Sequence, residues 1–286
     1  MMNDTVTRPL VSTEELARRC ADPDIAIVDG TYHLPTANRD AATEFAHEHL
    51  PGAIRFDIDD VCDPDSDLPH MLPTPRLFGE KVSALGISNR HHVVVYDVYG
   101  MQSAARVWWM FRVFGHERVS VLDGGLPKWR AEGRPLTDAE HSPVAASFEA
   151  GFVPDLVRDI SAVRHTLESS GAQVVDVRSA GRFTAEEPEP RPGMRSGHMP
   201  GALSLPFTDL LEGPHRTYRS EDDIRARVIG AGIDPDRRVV TSCGSGVTAC
   251  AVALGLYLIG REDVAVYDGS WSEWGGRDDT PVVTGP

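Results

Sequence analysis

The chain has 286 residues, of which 41% are hydrophobic and 25% charged, the balance of a soluble globular protein long enough for two domains of ordinary size. A formal net charge of −15 argues against nucleic acid and anionic membrane as partners, and an anionic substrate would need a local cluster of arginines. The 4 cysteines, Cys20, Cys62, Cys243 and Cys250, show no Cys-x-x-Cys spacing, which argues against a disulfide framework or a structural zinc site and makes a reducing cytoplasm the expected location.

At the N-terminus, Met1-Met2-Asn3-Asp4-Thr5 has no basic region followed by an apolar stretch, so no secretory signal is read. Ser12-Thr13-Glu14-Glu15 has capping-box spacing and predicts a short helix, after which 25–28 reads as a buried strand. A His-x-Pro-Gly-Ala turn, His49 to Ala53, leads into a short apolar segment. Next come a helix over 77–85, a central strand over 92–96, a long apolar helix over 103–114 and a last strand over 119–122. Residues 134–154 are rich in Pro, Ser and Ala with little periodicity and read as a linker. The same plan then returns: a helix that Asp159 can cap, a strand over 173–177, the turn His198 to Ala202, a helix over 222–229, and a strand over 238–242. A helix over 247–259 and a strand over 264–267 close it. The run 249–259 is the longest apolar one and is too short to span a bilayer.

This recurrence is a duplication. Asp123 and Asp268 lie 145 residues apart, as do Trp129 and Trp274, while His49 and His198 are separated by 149 and Asp29 and Asp176 by 147. Two α/β copies are expected, 8–137 and 155–286 with 138–154 between them, each a mainly parallel sheet flanked by helices. The copies differ where ligands of such sheets bind, at the carboxyl ends of strands. There the second copy has Cys243, in Cys243-Gly244-Ser245-Gly246-Val247-Thr248-Ala249, and the first has Asp97. A cysteine in a glycine-rich loop between a strand end and a helix start faces unpaired backbone N–H groups and the positive end of the helix dipole, which favour a nucleophilic thiolate. The first copy is then a non-catalytic wall of an interdomain cleft. Gly244-x-Gly246 is not a dinucleotide fingerprint, because residue 249 is Ala, and neither cofactor nor metal is called for. Cys250, Trp108, Trp109, Trp271 and Trp274 read as packing residues.

The Cys243 loop resembles the active-site loop of 3-mercaptopyruvate sulfurtransferases, within the rhodanese superfamily. Similar matches run along nearly the whole chain: Arg106-Val107-Trp108-Trp109, Gly181-Arg182-Phe183, Glu189-Pro190-Arg191, His198-Met199-Pro200-Gly201-Ala202 and Tyr267-Asp268-Gly269-Ser270-Trp271. The resemblance implies two tandem rhodanese-like domains with the active site in the interdomain cleft. It implies a Cys243 persulfide that carries sulfur from 3-mercaptopyruvate to a thiol, thioredoxin-like or cyanide acceptor. Arg182 and Arg191, in a polar Pro-rich loop over 181–197, are implied for the carboxylate and ketone end of the donor, a role that the rigid guanidinium fork suits. Without that role they would balance Glu186, Glu187 and Glu189 at the surface. Gly244, Gly246, Val247 and Thr248 are implied in holding substrate, and Ser245 in donating to a developing oxyanion or relaying a proton, with Asp59 and His70 working with it across the cleft. Asp60 or Asp63 could stand in for Asp59. Arg195 is a neighbouring candidate with no matching role.

Related thiosulfate-specific enzymes carry Arg and Lys in this loop where Gly244 and Ser245 stand, so the loop favours a monocarboxylate donor over thiosulfate. A thiosulfate sulfurtransferase and a non-enzymatic sulfur-carrier module are the alternatives. A cysteine phosphatase would need Cys-x5-Arg and has Ala249 instead.

Overall fold

The computed structural model describes residues 7–140, 144–169 and 171–286. Residues Met1 to Thr5 and the 141–143 part of the expected linker lie outside the described residues. Among these residues the first copy runs β1 (Leu10–Val11), α1 (Thr13–Arg19), β2 (Ile25–Asp29), α2 (Ala41–His47), β3 (Ile54–Arg55), α3 (Pro75–Ala84), β4 (His92–Tyr96), α4 (Ala104–Val113), β5 (Val119–Leu122) and α5 (Gly125–Ala131). The second runs β6 (Val157–Arg158), α6 (Ile160–Ser169), β7 (Gln173–Asp176), α7 (Ala180–Thr184), β8 (Leu203–Ser204), β9 (Leu211–Glu212), β10 (Thr217–Tyr218), α8 (Glu221–Gly230), β11 (Val239–Ser242), α9 (Ala249–Leu258), β12 (Ala265–Tyr267) and α10 (Ser270–Trp274).

Each copy holds a five-stranded sheet, in the orders β1-β5-β4-β2-β3 and β6-β12-β11-β7-β8, while β9 and β10 form a two-stranded ribbon. All pairings in the two large sheets are parallel. The central strands β4 and β11 are therefore buried on both faces, which explains their continuous Val-rich runs. The predicted caps form: Ser12 Oγ accepts from Glu15 N–H at 3.1 Å, and Asp159 Oδ1 accepts from Ala162 N–H at 2.8 Å. Helices α4 and α9 are buried almost all round, as their apolar sequences require. Trp129 and Trp274 sit at matching places in the two cores, and each indole N–H reaches a backbone carbonyl, Pro135 at 2.8 Å and Pro281 at 2.9 Å.

The His-x-Pro-Gly-Ala histidines are structural. His49 stacks on Phe45 with ring centroids 4.2 Å apart and bonds that residue's carbonyl through Nδ1, and His198 does the same with Phe183 at 3.6 Å. Residues 144–152 follow the first unit closely: Ala146 and Phe148 N–H groups bond Ser83, Gly151 N–H bonds Phe114 O, and Phe148 is buried. By contacts the chain divides into two units with an exchange of segments. Cys62–Pro73 belongs to the second unit and His215–Thr217 to the first. No helix of the described residues is long and apolar enough to cross a membrane.

Candidate active site

In the second unit the chain leaves β7 toward β8 on one side and β11 toward β12 on the other, although β7 and β11 are neighbours. Diverging connections at adjacent carboxyl ends open a crevice at that point. Cys243 follows β11 there, and Arg178 and Arg182 follow β7.

Cys243 is 2% exposed. The loop is held from one side by α10: Trp271 N–H donates to Cys243 O at 3.0 Å, and Ser272 donates to Gly244 O through both N–H and Oγ–H at 2.8 Å. In a trans peptide the N–H points opposite to the C=O, so fixing these two carbonyls aims the N–H groups of Gly244 and Ser245 away from α10, into the loop. The N–H of Cys243 itself is not available, because it donates to Ser270 Oγ at 3.1 Å. Gly246 has φ +74, which a residue with a Cβ rarely adopts. Ser245 and Val247 are buried, Thr248 occupies the N-cap position of α9 without a side-chain capping bond, and Ala249 is the first residue of the helix.

The first copy shows what such a loop accommodates. Tyr96 pairs with Asp29 as Ser242 pairs with Asp176, so Asp97 occupies the position of Cys243. Its buried carboxylate accepts from Tyr99 N–H, Gln102 N–H and Ala104 N–H, each at 2.8 Å. The strand–loop–helix geometry is thus an anion cradle, filled in this copy by the chain's own side chain.

The two sequence-selected arginines converge on the Cys243 loop. A Cβ placed on Gly244 would lie 3.2 Å from Arg182 Nη2 and 3.7 Å from Arg191 Nη1. Arg182 sits on the short helix α7, capped by Ser179, rather than in an extended loop. Behind it lies a buried network that sequence reasoning missed. Glu189, with its side chain 4% exposed, binds Arg182 through Nε at 3.1 Å and Nη2 at 2.5 Å, and binds Arg178 Nη1 at 2.6 Å. Arg178 in turn holds Asp176 and Gly197 O and stacks on Trp271, with its guanidinium carbon 4.2 Å from the ring centroid. Burial disfavours the Arg178 cation, but Asp176 and Glu189 outweigh it and raise its pKa above the ordinary value. The signal available was spacing: Asp176 and Arg178 flank a strand end, where charged side chains face the ligand. Arg195 is structural, bonding Gly275 O, Thr280 and Trp274 O.

His70 lies in Cys62–Pro73 and is buried at φ +58 in the second unit. That segment is fastened by Leu72 N–H to Asp268 Oδ2 at 2.8 Å and by Asp63 N–H to Met71 O at 2.8 Å. Asp59 belongs to the first unit and is exposed. Of its alternatives, Asp60 pairs with Lys81 at 2.6 Å and Asp63 caps Asp65 N–H at 3.0 Å. A cavity of about 520 Å³ in the second unit is lined in part by Arg191, Ser272, Leu68 and Met194, so it adjoins the loop through Ser272 and the substrate candidates through Arg191.

The rhodanese-like domain model matches residues 12–132 and 159–277. A human 3-mercaptopyruvate sulfurtransferase is 43% identical over 280 residues, spanning 96% of this chain and 94% of that protein. A mouse thiosulfate sulfurtransferase is 42% identical over 281 residues, spanning 96% and 94%. The crystal structure of the Escherichia coli 3-mercaptopyruvate enzyme SseA superposes with a TM-score of 0.85 at 38% identity, covering 93% of this chain and 99% of that one. With both of its copies matched and nearly its full length shared with these relatives, the chain belongs to the rhodanese family.

Proposed function

We propose that this chain is a sulfurtransferase that takes the thiol sulfur of 3-mercaptopyruvate onto Cys243, where it becomes the sulfane sulfur of a persulfide, and passes it to a thiol, a thioredoxin-like protein or cyanide. The observation that carries the reading is the meeting of two guanidiniums above Gly244, beside a buried cysteine. A carboxylate and its neighbouring ketone fit that pair. The Cys243 thiolate attacks the donor sulfur and an S–S bond forms. The C3–S bond breaks with its electron pair going to C3, and the resulting pyruvate enolate takes up a proton. The guanidiniums stabilise the enolate oxygen as charge develops there. The acceptor then attacks the outer sulfur, and the S–S electrons return to Cys243. Two half-reactions give ping-pong kinetics. Ser245, Asp59 and His70 are proposed for the proton movements, and Gly246, Val247 and Thr248 for shaping the loop. The four cysteines, none of them in a disulfide, suit a reducing compartment such as the cytoplasm.

Thiosulfate remains the alternative donor. Mass spectrometry after donor treatment is expected to show a gain of about 32 Da, one sulfur atom, on Cys243. Cys243→Ser is expected to lose turnover and keep its fold by circular dichroism. Wild-type protein with no added sulfur at Cys243 would overturn the reading.

A further inference from the structure

We propose that Glu189 is a specificity-determining positioning residue that offsets the Arg182 charge facing the donor and so favours a monoanion over a dianion. This inference rests on the sulfurtransferase reading and extends it to donor choice.

The guanidinium of Arg182 meets the loop at Gly244 with Nη2, and the same Nη2 and the adjacent Nε are held by Glu189. Glu189 cannot swing away: its side chain is 4% exposed, and Oε1 is also bound by Arg178, whose own side chain is fully buried between Asp176, Gly197 O and Trp271. Glu189 therefore does two things to Arg182. It fixes the fork through two bonds, so that little rotamer freedom is lost when a donor binds. It also cancels one of the charges nearest the donor. Asp176 is paired with Arg178, so Glu189 is the carboxylate set directly against Arg182 where that guanidinium meets the loop. Glu187 does not alter this balance, because it is exposed and bonds Ser179.

3-Mercaptopyruvate carries one negative charge, on its carboxylate. Thiosulfate carries two charges and gains twice as much from any added cation. Removing the Glu189 charge therefore helps a dianionic donor more than a monoanionic one. The absence of Arg and Lys from the loop is only part of donor choice on this account. The other part is a carboxylate behind the arginines that tempers those already present.

The test is the ratio of kcat/KM for thiosulfate to kcat/KM for 3-mercaptopyruvate, with cyanide as acceptor. Glu189→Gln keeps the shape and one hydrogen-bonding oxygen, and is expected to raise this ratio by about tenfold or more. A merely structural role would loosen Arg182 and lower both donors together, leaving the ratio unchanged. Glu189→Asp, a shorter carboxylate standing farther from Arg182, is expected to give an intermediate ratio, and carries the test if Glu189→Gln does not accumulate as folded protein. A ratio within twofold of wild type in whichever variant folds, with wild-type persulfide formed on Cys243, would overturn the role of Glu189 alone. Wild type that forms no persulfide from 3-mercaptopyruvate would overturn the underlying function and this inference with it.

Discussion

Three glutamates in one short stretch, Glu186, Glu187 and Glu189, look alike in the sequence, and the fold separates them. Glu186 and Glu187 are exposed, while Glu189 is enclosed between two arginines. No pattern of residue types distinguishes a buried ion pair from solvated charge in a polar loop, so the network behind Arg182 could be found only in three dimensions. The motif singled out Arg182 and Arg191, and their different surroundings rank them within the proposed reading. On the proposed reading, removing Arg191 takes away one donor of charge-assisted bonds to the substrate. Removing Arg182 takes away another and also leaves the Glu189 carboxylate facing the incoming anion. Arg191→Ala is expected to raise KM for 3-mercaptopyruvate by roughly 10- to 150-fold, for bonds of about 1.5–3 kcal/mol. Arg182→Ala is expected to raise it further. Steady-state kinetics decide this, and unchanged KM in both variants would return the two residues to surface charge balance.

Among the elements, long strands and helices were readable because their periodicity had room to show. The expected central strand 92–96 and last strand 119–122 match β4 and β5, and the helices expected over 103–114 and 247–259 are α4 and α9 with frayed ends. Helices α2, α5, α7 and α10, of five to seven residues, did not register, since fewer than two turns carry too little of the 3.6-residue period. One of those missed elements, α10, holds the Cys243 loop. Gly125 opens α5 at φ +51, and its repeat partner Ser270 opens α10 at φ +48. The left-handed conformation costs a serine about 1 kcal/mol that a glycine avoids. Ser270 is retained with its hydroxyl bonded to Cys243 N–H and Tyr267 O. Ser270→Gly is expected to lower kcat severalfold, with stability within about 1 kcal/mol of wild type, because relief of strain offsets the lost bonds. Ser270→Ala loses the same bonds and keeps the strain, so it should melt below Ser270→Gly while showing a similar kcat. Full activity in both variants would show that the hydroxyl does not position the loop, and an alanine variant as stable as the glycine one would show that Ser270 stores no strain.

For the molecule as a whole, the duplication carried most of the fold, because two matching sheets must follow from two matching runs of elements. The exchange of Cys62–Pro73 and His215–Thr217 between the units was not legible, since neither segment has a periodic pattern that names its partner. Outside the site, the first unit also buries histidines that set a response to acid. His116 packs against Phe111 and Phe148, with ring centroids 5.6 Å and 5.4 Å away, and is 4% exposed. His92 bonds Ser120 Oγ at 2.8 Å. Burial lowers both imidazoles from 6.5 to about 4. Between those values the unfolded chain binds more protons than the folded one, so stability rises with pH across the interval. The contribution is complete above pH 6.5 and is lost as the pH falls toward 4. For His116 the loss between pH 7 and pH 5 amounts to about 2 kcal/mol. His116→Gln, which does not titrate, forfeits ring packing and should be less stable than wild type at pH 7. Denaturant melts are expected to show that gap narrowing by about 2 kcal/mol at pH 5, since only in wild type does unfolding then release an imidazole that takes up a proton. A gap that stays constant from pH 7 to pH 5 would mean that His116 gains its proton in the folded chain as readily as in the unfolded one.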